Sequence, residues 1–113
     1  MRKIKNVDDA IEKFKIAAND NYECSYNGNY RKANRAYDNL MQIKKYLYEN
    51  NALDLLKQLY DDSNLWVRLA AAIAMAPFDD ENAFNIVKKM TDGEGLYSFS
   101  AKRTLLNWDK LNK

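Results

Sequence analysis

Apolar residues recur at helical spacing from the start of the chain onward. Val7, Ala10 and Phe14 are three or four positions apart, so their side chains share one face of a helix. The two residues that follow Val7 are acidic and stand in the first turn, where the helix dipole favours negative charge. We expect this helix to fade between Asn19 and Asn29, where asparagine, aspartate, serine and glycine form a turn-like composition.

A second helix is predicted from Tyr30 to Glu49. Leu40, Ile43 and Leu47 give it one apolar face, and charged residues occupy the opposite face. Two asparagines follow Glu49 and are typical of a helix end. The two helices form an N-terminal pair over residues of about 6–50.

The second half of the chain alternates short apolar segments with turn signals, which predicts helical hairpins. Acidic turns and the single proline, Pro77, separate the segments. In chain order the predicted helices cover residues 53–60, 66–75, 79–90 and 97–108, and Lys110 and Lys113 follow near the last C-terminus, where positive charge is favoured.

Two stretches of the second half follow one plan. With an offset of 31 residues Leu56 maps onto Val87, and with an offset of 30 residues Ala71 maps onto Ala101. A single hairpin of this size cannot bury its apolar face, so neighbouring hairpins must stack. We therefore predict an all-α protein, a single domain over residues 1–113 built as an α-α superhelix of about six helices, with repeated hairpins near residues 52–76 and 80–110.

The composition narrows the classes of function. The chain has no histidine, which removes the commonest general base and metal ligand, and its single cysteine, Cys24, cannot form an intramolecular disulfide. There is no phosphate-binding loop, nucleophile motif or metal-ligand spacing, so we expect no enzyme activity, cofactor, metal site or small-molecule substrate. No apolar run is long enough to span a membrane or serve as a signal peptide, so we expect a cytoplasmic protein.

Charge is distributed unevenly along the chain. The formal net charge is only +2, but residues 61–94 contain seven acidic and three basic residues, which gives this window −4 and leaves +6 for the remainder. Clustered acids of this kind suit a basic protein partner. The basic side chains of the second helix are too few for strong nucleic-acid binding, and a solvated helix face is the simpler interpretation; they are Arg31, Lys32, Arg35, Lys44 and Lys45.

The segment from Asp61 through Val67-Arg68 and the following alanine-rich run to Met75 resembles the HEAT repeat. That resemblance implies an α-helical hairpin in which Arg68 pairs with an acidic residue such as Asp61 or Asp92. The second copy departs from the pattern because Ser98 stands where the arginine is expected.

The whole chain also resembles a bacterial family of small proteins, a domain of unknown function with a HEAT-like fold. The resemblance rests on residues 29–37, on Trp66-Val67-Arg68 and on Phe99-Ser100-Ala101 before Leu105 and Trp108. Many members resemble immunity proteins of contact-dependent or polymorphic toxins. The resemblance thus implies a protein that binds a cognate toxin domain, such as a nuclease, and occludes its active site. A HEAT-like interaction adaptor or a nucleic-acid-binding module is the alternative.

The residues expected to contact the partner are those of the acidic turns and two aromatic residues beside them. They are Asp61, Asp62, Trp66, Asp92, Glu94 and Tyr97. Helix capping is the competing explanation for the acids, and core packing is the competing explanation for Trp66. Asn34 and Arg35 are expected to brace the first helix pair by hydrogen bonds to the loop around Gly28, and Arg68 is expected to have a structural role.

Overall fold

The computed structural model describes residues 1–111, which form helices and connecting turns without a strand. The predicted all-α class is confirmed. The chain divides into two compact units, Met1–Leu55 and Leu56–Lys113. Asn112 and the predicted C-terminal charge of Lys113 lie outside the described residues. Within residues 1–111, no helix combines the length and the apolar character that crossing a bilayer requires.

The first unit is a hairpin of two helices, α1 (Val7–Asn27) and α2 (Tyr30–Glu49), and the bounds of α2 are those predicted. The Asn6 side chain caps α1 by accepting a hydrogen bond from the Asp9 N–H at 2.8 Å. Gly28 then ends α1 with φ +87°, a left-handed conformation that glycine adopts without steric cost. Only Gly28 and Asn29 connect the two helices.

α1 ends at Asn27, within the predicted range of 19–29 but near its far end, so most of this turn-like stretch is helical. The polar residues in its second half find partners that are compatible with a helix. Asn21 Nδ2 donates to the Ala33 carbonyl of α2 at 3.0 Å, and Ser25 Oγ donates to the Asn21 carbonyl at 2.6 Å. Packing against α2 therefore outweighs the weak helix propensity of this stretch.

The core of the first unit lies between these helices. Phe14 of α1 and Ile43 and Leu47 of α2 are each at most 1% exposed, and burying such side chains contributes roughly 1.5–3 kcal/mol each. The two asparagines predicted to end α2 do so. Asn51 adopts φ 56°, and the Ala52 N–H donates to the Leu47 carbonyl at 2.8 Å, which satisfies a carbonyl of the last turn.

A 3₁₀ helix, Leu53–Asp61, leads into the second unit, where an α-helix was predicted. The leucines at 53, 56 and 59 are three residues apart, which matches the three residues per turn of a 3₁₀ helix. Leu56 and Leu59 are buried, whereas Leu55 is 42% exposed.

Four α-helices follow in the second unit: α3 (Leu65–Met75), α4 (Asp80–Met90), α5 (Gly95–Leu106) and α6 (Trp108–Leu111). α3 is buried on nearly all sides, and its alanines allow α4 and α5 to pack against it closely. Asn64 begins α3 by accepting a hydrogen bond from the Trp66 N–H at 2.9 Å. α3 ends before Pro77, as predicted.

The last predicted helix is broken at Asn107. This residue caps α5 by donating from its side chain to the Arg103 carbonyl at 3.0 Å. After the break the Trp108 ring meets the edge of Phe84 at 5.6 Å, and Trp108 Nε1 donates to Asp80 Oδ1 at 2.6 Å.

Some positions paired by the sequence repeat have equivalent environments. Leu56 and Val87 are both fully buried, as are Ala71 and Ala101. The two copies nevertheless differ, since the first opens with a 3₁₀ helix and the second with the α-helix α4. The HEAT-like repeat therefore stays a prediction.

Candidate partner-binding site

The two acidic turns of the second unit adjoin one cleft. The cleft has a volume of about 320 Å³, and its apolar part is formed by Leu65, Ile86 and Met90. Its polar and aromatic lining comprises Tyr60, Arg68, Lys89, Gly93, Glu94, Tyr97 and Ser98. Asp61 follows Tyr60 in the chain and Asp92 precedes Gly93, so both turns reach the cleft rim.

Three of the four predicted acids are available to a partner. Asp61, Asp92 and Glu94 are exposed, and no side-chain hydrogen bond or ion pair holds their carboxylates within residues 1–111. Glu94 occupies the N-cap position of α5 without a side-chain capping bond. The capping interpretation therefore does not account for the Glu94 carboxylate.

Asp62 has a structural role instead. Its Oδ2 accepts a hydrogen bond from the Asn64 N–H at 3.0 Å, and its backbone carbonyl accepts one from Arg68 Nε. Both bonds shape the turn that precedes α3. Asp62 is half-buried and its carboxylate is used within the turn. This favours the capping interpretation of Asp62 over its predicted role as a contact residue.

The prediction of Trp66 as an exposed interface anchor is wrong. Trp66 is only 2% exposed, and its ring packs on Tyr97 with 4.3 Å between ring centroids and 41° between ring planes. Trp66 faces inward because it stands in the first turn of α3, the most buried helix of the unit. Tyr97 is half-exposed and lines the cleft, so Trp66 supports the contact residue from behind.

Arg68 has a structural role, but its partner is not a carboxylate. The guanidinium donates through Nε to the Asp62 carbonyl, and no ion pair to Asp61 or Asp92 forms among the described residues. Ser98, in the corresponding position of the second copy, donates through Oγ to the Thr91 carbonyl at 3.0 Å. In each copy, a side chain of the second helix thus closes the preceding turn.

Two acids at the start of α4, Asp79 and Asp80, form cross-links within the second unit. The Asp79 carboxylate accepts from Tyr60 Oη at 3.1 Å and from Asn82 Nδ2 at 3.0 Å. Asp80 accepts from Trp108 as described above. Only the tertiary structure reveals the bonds to Tyr60 and Trp108, because these partners are 19 and 28 residues away in the chain.

Asn34 and Arg35 do not brace the first helix pair, contrary to the prediction. Both are exposed, and neither forms a hydrogen bond through its side chain within residues 1–111. Asn21 connects the helices instead, through its bond to Ala33. Arg35 lines a shallow cleft of about 150 Å³ in the first unit, together with Lys13 and Lys32.

The basic residues of α2 do not form a uniform exposed stripe. Arg31, Lys32, Arg35 and Lys45 are exposed, but Lys44 is half-buried, and this burial lowers its pKa. Within residues 1–111, no group of three acidic or cysteine side chains is arranged to hold a metal ion.

No protein-family model, curated protein or solved structure matches this chain.

Proposed function

We propose that this protein is a protein-binding module that contacts its partner through the cleft rim of the second unit. The contact residues are Asp61, Asp92, Glu94 and Tyr97. The observation that carries the proposal is that exposed Glu94 and half-exposed Tyr97, which is backed by a buried tryptophan, line one cleft. Exposed Asp61 and Asp92 adjoin lining residues in the chain, and none of the three carboxylates has an ion-pair partner among residues 1–111. A rigid aromatic group with a charged rim is a common arrangement at protein interfaces.

The three exposed carboxylates outnumber the one exposed base of the cleft lining, Lys89, and so favour a basic partner. Exposed carboxylates accelerate association with a positively charged surface, and the effect weakens as salt screens it. A nuclease domain has such a surface where it binds phosphates. The resemblance of the sequence to immunity proteins supplies the specific form of the proposal: a cytoplasmic protein that occludes the active site of a cognate bacterial toxin domain.

Co-expression with the product of the gene directly upstream tests this proposal, if that product is toxic to the cell. The wild-type chain is expected to restore growth, whereas Asp61→Asn/Asp92→Asn/Glu94→Gln is expected to lose protection. These substitutions preserve side-chain shape and remove three charges. At about 1 kcal/mol for each charge pair, the complex should weaken by roughly 100-fold.

The matched control neutralises three exposed acids that are not among the residues lining the cleft, Glu12→Gln/Glu49→Gln/Asp109→Asn. It changes net charge equally and is expected to protect like wild type. Equal protection by both triple variants would reject the cleft rim as the contact surface. Failure of the wild-type chain to bind or rescue against the toxin domain would reject the immunity function itself.

A further inference from the structure

α2 carries a second apolar face that the first unit leaves exposed. Tyr30, Tyr37, Met41 and Tyr48 are 66%, 52%, 39% and 64% exposed. Their spacing of seven, four and seven residues places them within about 40° of one another on the helix. The buried face of α2, which contains Leu40 and Leu47, is centred about 100° away. The exposed residues therefore form a separate stripe.

This stripe has the spacing of a coiled-coil seam. Asn34 and Lys44 occupy the remaining seam positions, so the seam has a residue alternately every three and four positions from Tyr30 to Tyr48. Arg31, Asp38 and Lys45 flank the seam on its solvent side at intervals of seven residues. All three are exposed and form no ion pair within residues 1–111.

The flanks determine how a second copy fits. On the other side of the seam the flanking residues, Ala33, Leu40 and Leu47, are buried in the first unit. A parallel pair of helices would place the charged flank of one copy against this buried flank of the other. An antiparallel pair places the two charged flanks together, and it is the arrangement that α2 permits.

Charge excludes the centred register of the antiparallel pair, and seam packing decides between the shifted ones. In the centred register Asp38 meets Asp38 of the second copy and Arg31 meets Lys45 of the second copy, and both contacts are repulsive. A shift of one heptad in one direction brings Asp38 beside Lys45 twice by symmetry, and a shift in the other direction brings Asp38 beside Arg31 twice. The first shift stacks Tyr37 on Tyr48 and lays Met41 along the aliphatic part of Lys44. The second sets the Asn34 amide against the Tyr37 ring, so side-chain packing in the seam favours the first.

We infer that the protein self-associates through α2, antiparallel, in the register that pairs Asp38 with Lys45 of a second copy. The contact is small. Two half-exposed tyrosines and a methionine present roughly 300 Å² per copy, about 600 Å² in total, which is below the size of stable specific interfaces and fits only a weak, reversible dimer. The inference does not depend on the toxin-binding proposal, because it uses a different surface.

Sedimentation equilibrium from about 20 µM to about 2 mM tests this dimer, with a dissociation constant expected in the high micromolar range. Asp38→Lys and Lys45→Asp should each weaken it at least about fivefold, since two exposed pairs change from attraction to repulsion. The double variant should recover to within about twofold of wild type. Tyr37→Ser should also weaken the dimer. Gln42→Lys, an exposed change on α2 outside the seam, is the control and should have little effect.

Several results would overturn the inference. A wild-type chain that stays monomeric to the highest concentration excludes the dimer. A dimer that resists Tyr37→Ser must use another surface. Tighter association of Lys45→Asp would indicate the centred register, because the introduced carboxylate would then meet Arg31 of the second copy. Failure of the double variant to recover, with its helical circular dichroism unchanged, would also reject the Asp38–Lys45 pairing.

Discussion

Truncation of Trp66 provides the sharpest test of its position in the core. Trp66→Ala removes an indole that is 2% exposed, and a large aromatic residue lost from a core costs about 3–5 kcal/mol. The ring contact with Tyr97, at 4.3 Å, contributes about 1 kcal/mol beyond burial. Because whole domains are stable by only about 5–15 kcal/mol, the alanine variant should be close to unfolding.

Trp66→Phe keeps a ring against Tyr97 and should lower the free energy of unfolding by about 1.5 kcal/mol. Urea denaturation measures this loss, and with a slope of about 1.5 kcal/mol/M the midpoint should fall by about 1 M. Trp66→Phe leaves Trp108, also in the second unit, as the fluorescent probe of that unit.

Phe99→Ala is the matched control, because Phe99 is 53% exposed and its truncation should cost about 0.5 kcal/mol. The urea midpoints of Trp66→Phe and Phe99→Ala are compared. A difference of less than about 0.3 M would show that Trp66 is not a core residue. In a toxin-binding assay, folded Trp66→Phe should keep most of its affinity, since the indole does not reach the surface.

Three further predictions concern single bonds. Asn21→Ala removes the hydrogen bond to the Ala33 carbonyl and should lower the free energy of unfolding by about 1 kcal/mol. The control Asn34→Ala, at an exposed position, should change it by less than about 0.5 kcal/mol. Urea titration followed by circular dichroism measures both. Asp80→Ala removes the acceptor of Trp108 Nε1 and should cost about 1.5 kcal/mol, measured by tryptophan fluorescence. Hydrogen bonds from Lys13 and from the Lys5 N–H hold the pKa of Asp9 below its usual 3.8. Wild type should therefore be more stable than Asp9→Asn above pH 3.8. An acid titration of both proteins should show this difference disappear as the pH falls through the lowered pKa of folded Asp9.

The helical spacing of apolar residues predicted most of the helices and their ends. The bounds of α2, and the ends of α3 and α4 within a residue, follow from apolar spacing and from the stop signals at Asn50, Pro77 and Asp92. These features are local, because a helix forms its backbone hydrogen bonds within the segment itself. The 3₁₀ geometry of 53–61 was missed because the same leucines also fit an α-helical face.

The candidate site was predicted less well. The sequence grouped Asp61, Asp92 and Glu94 with Asp62 as turn acids, without indicating which of these carboxylates have internal partners. Asp62 and Asp80 have the same composition signal, yet one shapes a turn and the other binds a tryptophan 28 residues away. Such differences arise from long-range contacts, which residue type alone does not encode.

The sequence by itself determined that the chain is all-α, where most helices lie, and that its acids concentrate at the turns of the second half. Only the tertiary structure decided that Trp66 is buried behind Tyr97 and that Arg68 binds a backbone carbonyl. It also decided which of the two apolar faces of α2 is covered. The physical reason is that periodicity fixes which side chains share a face, whereas burial depends on which face another helix occupies.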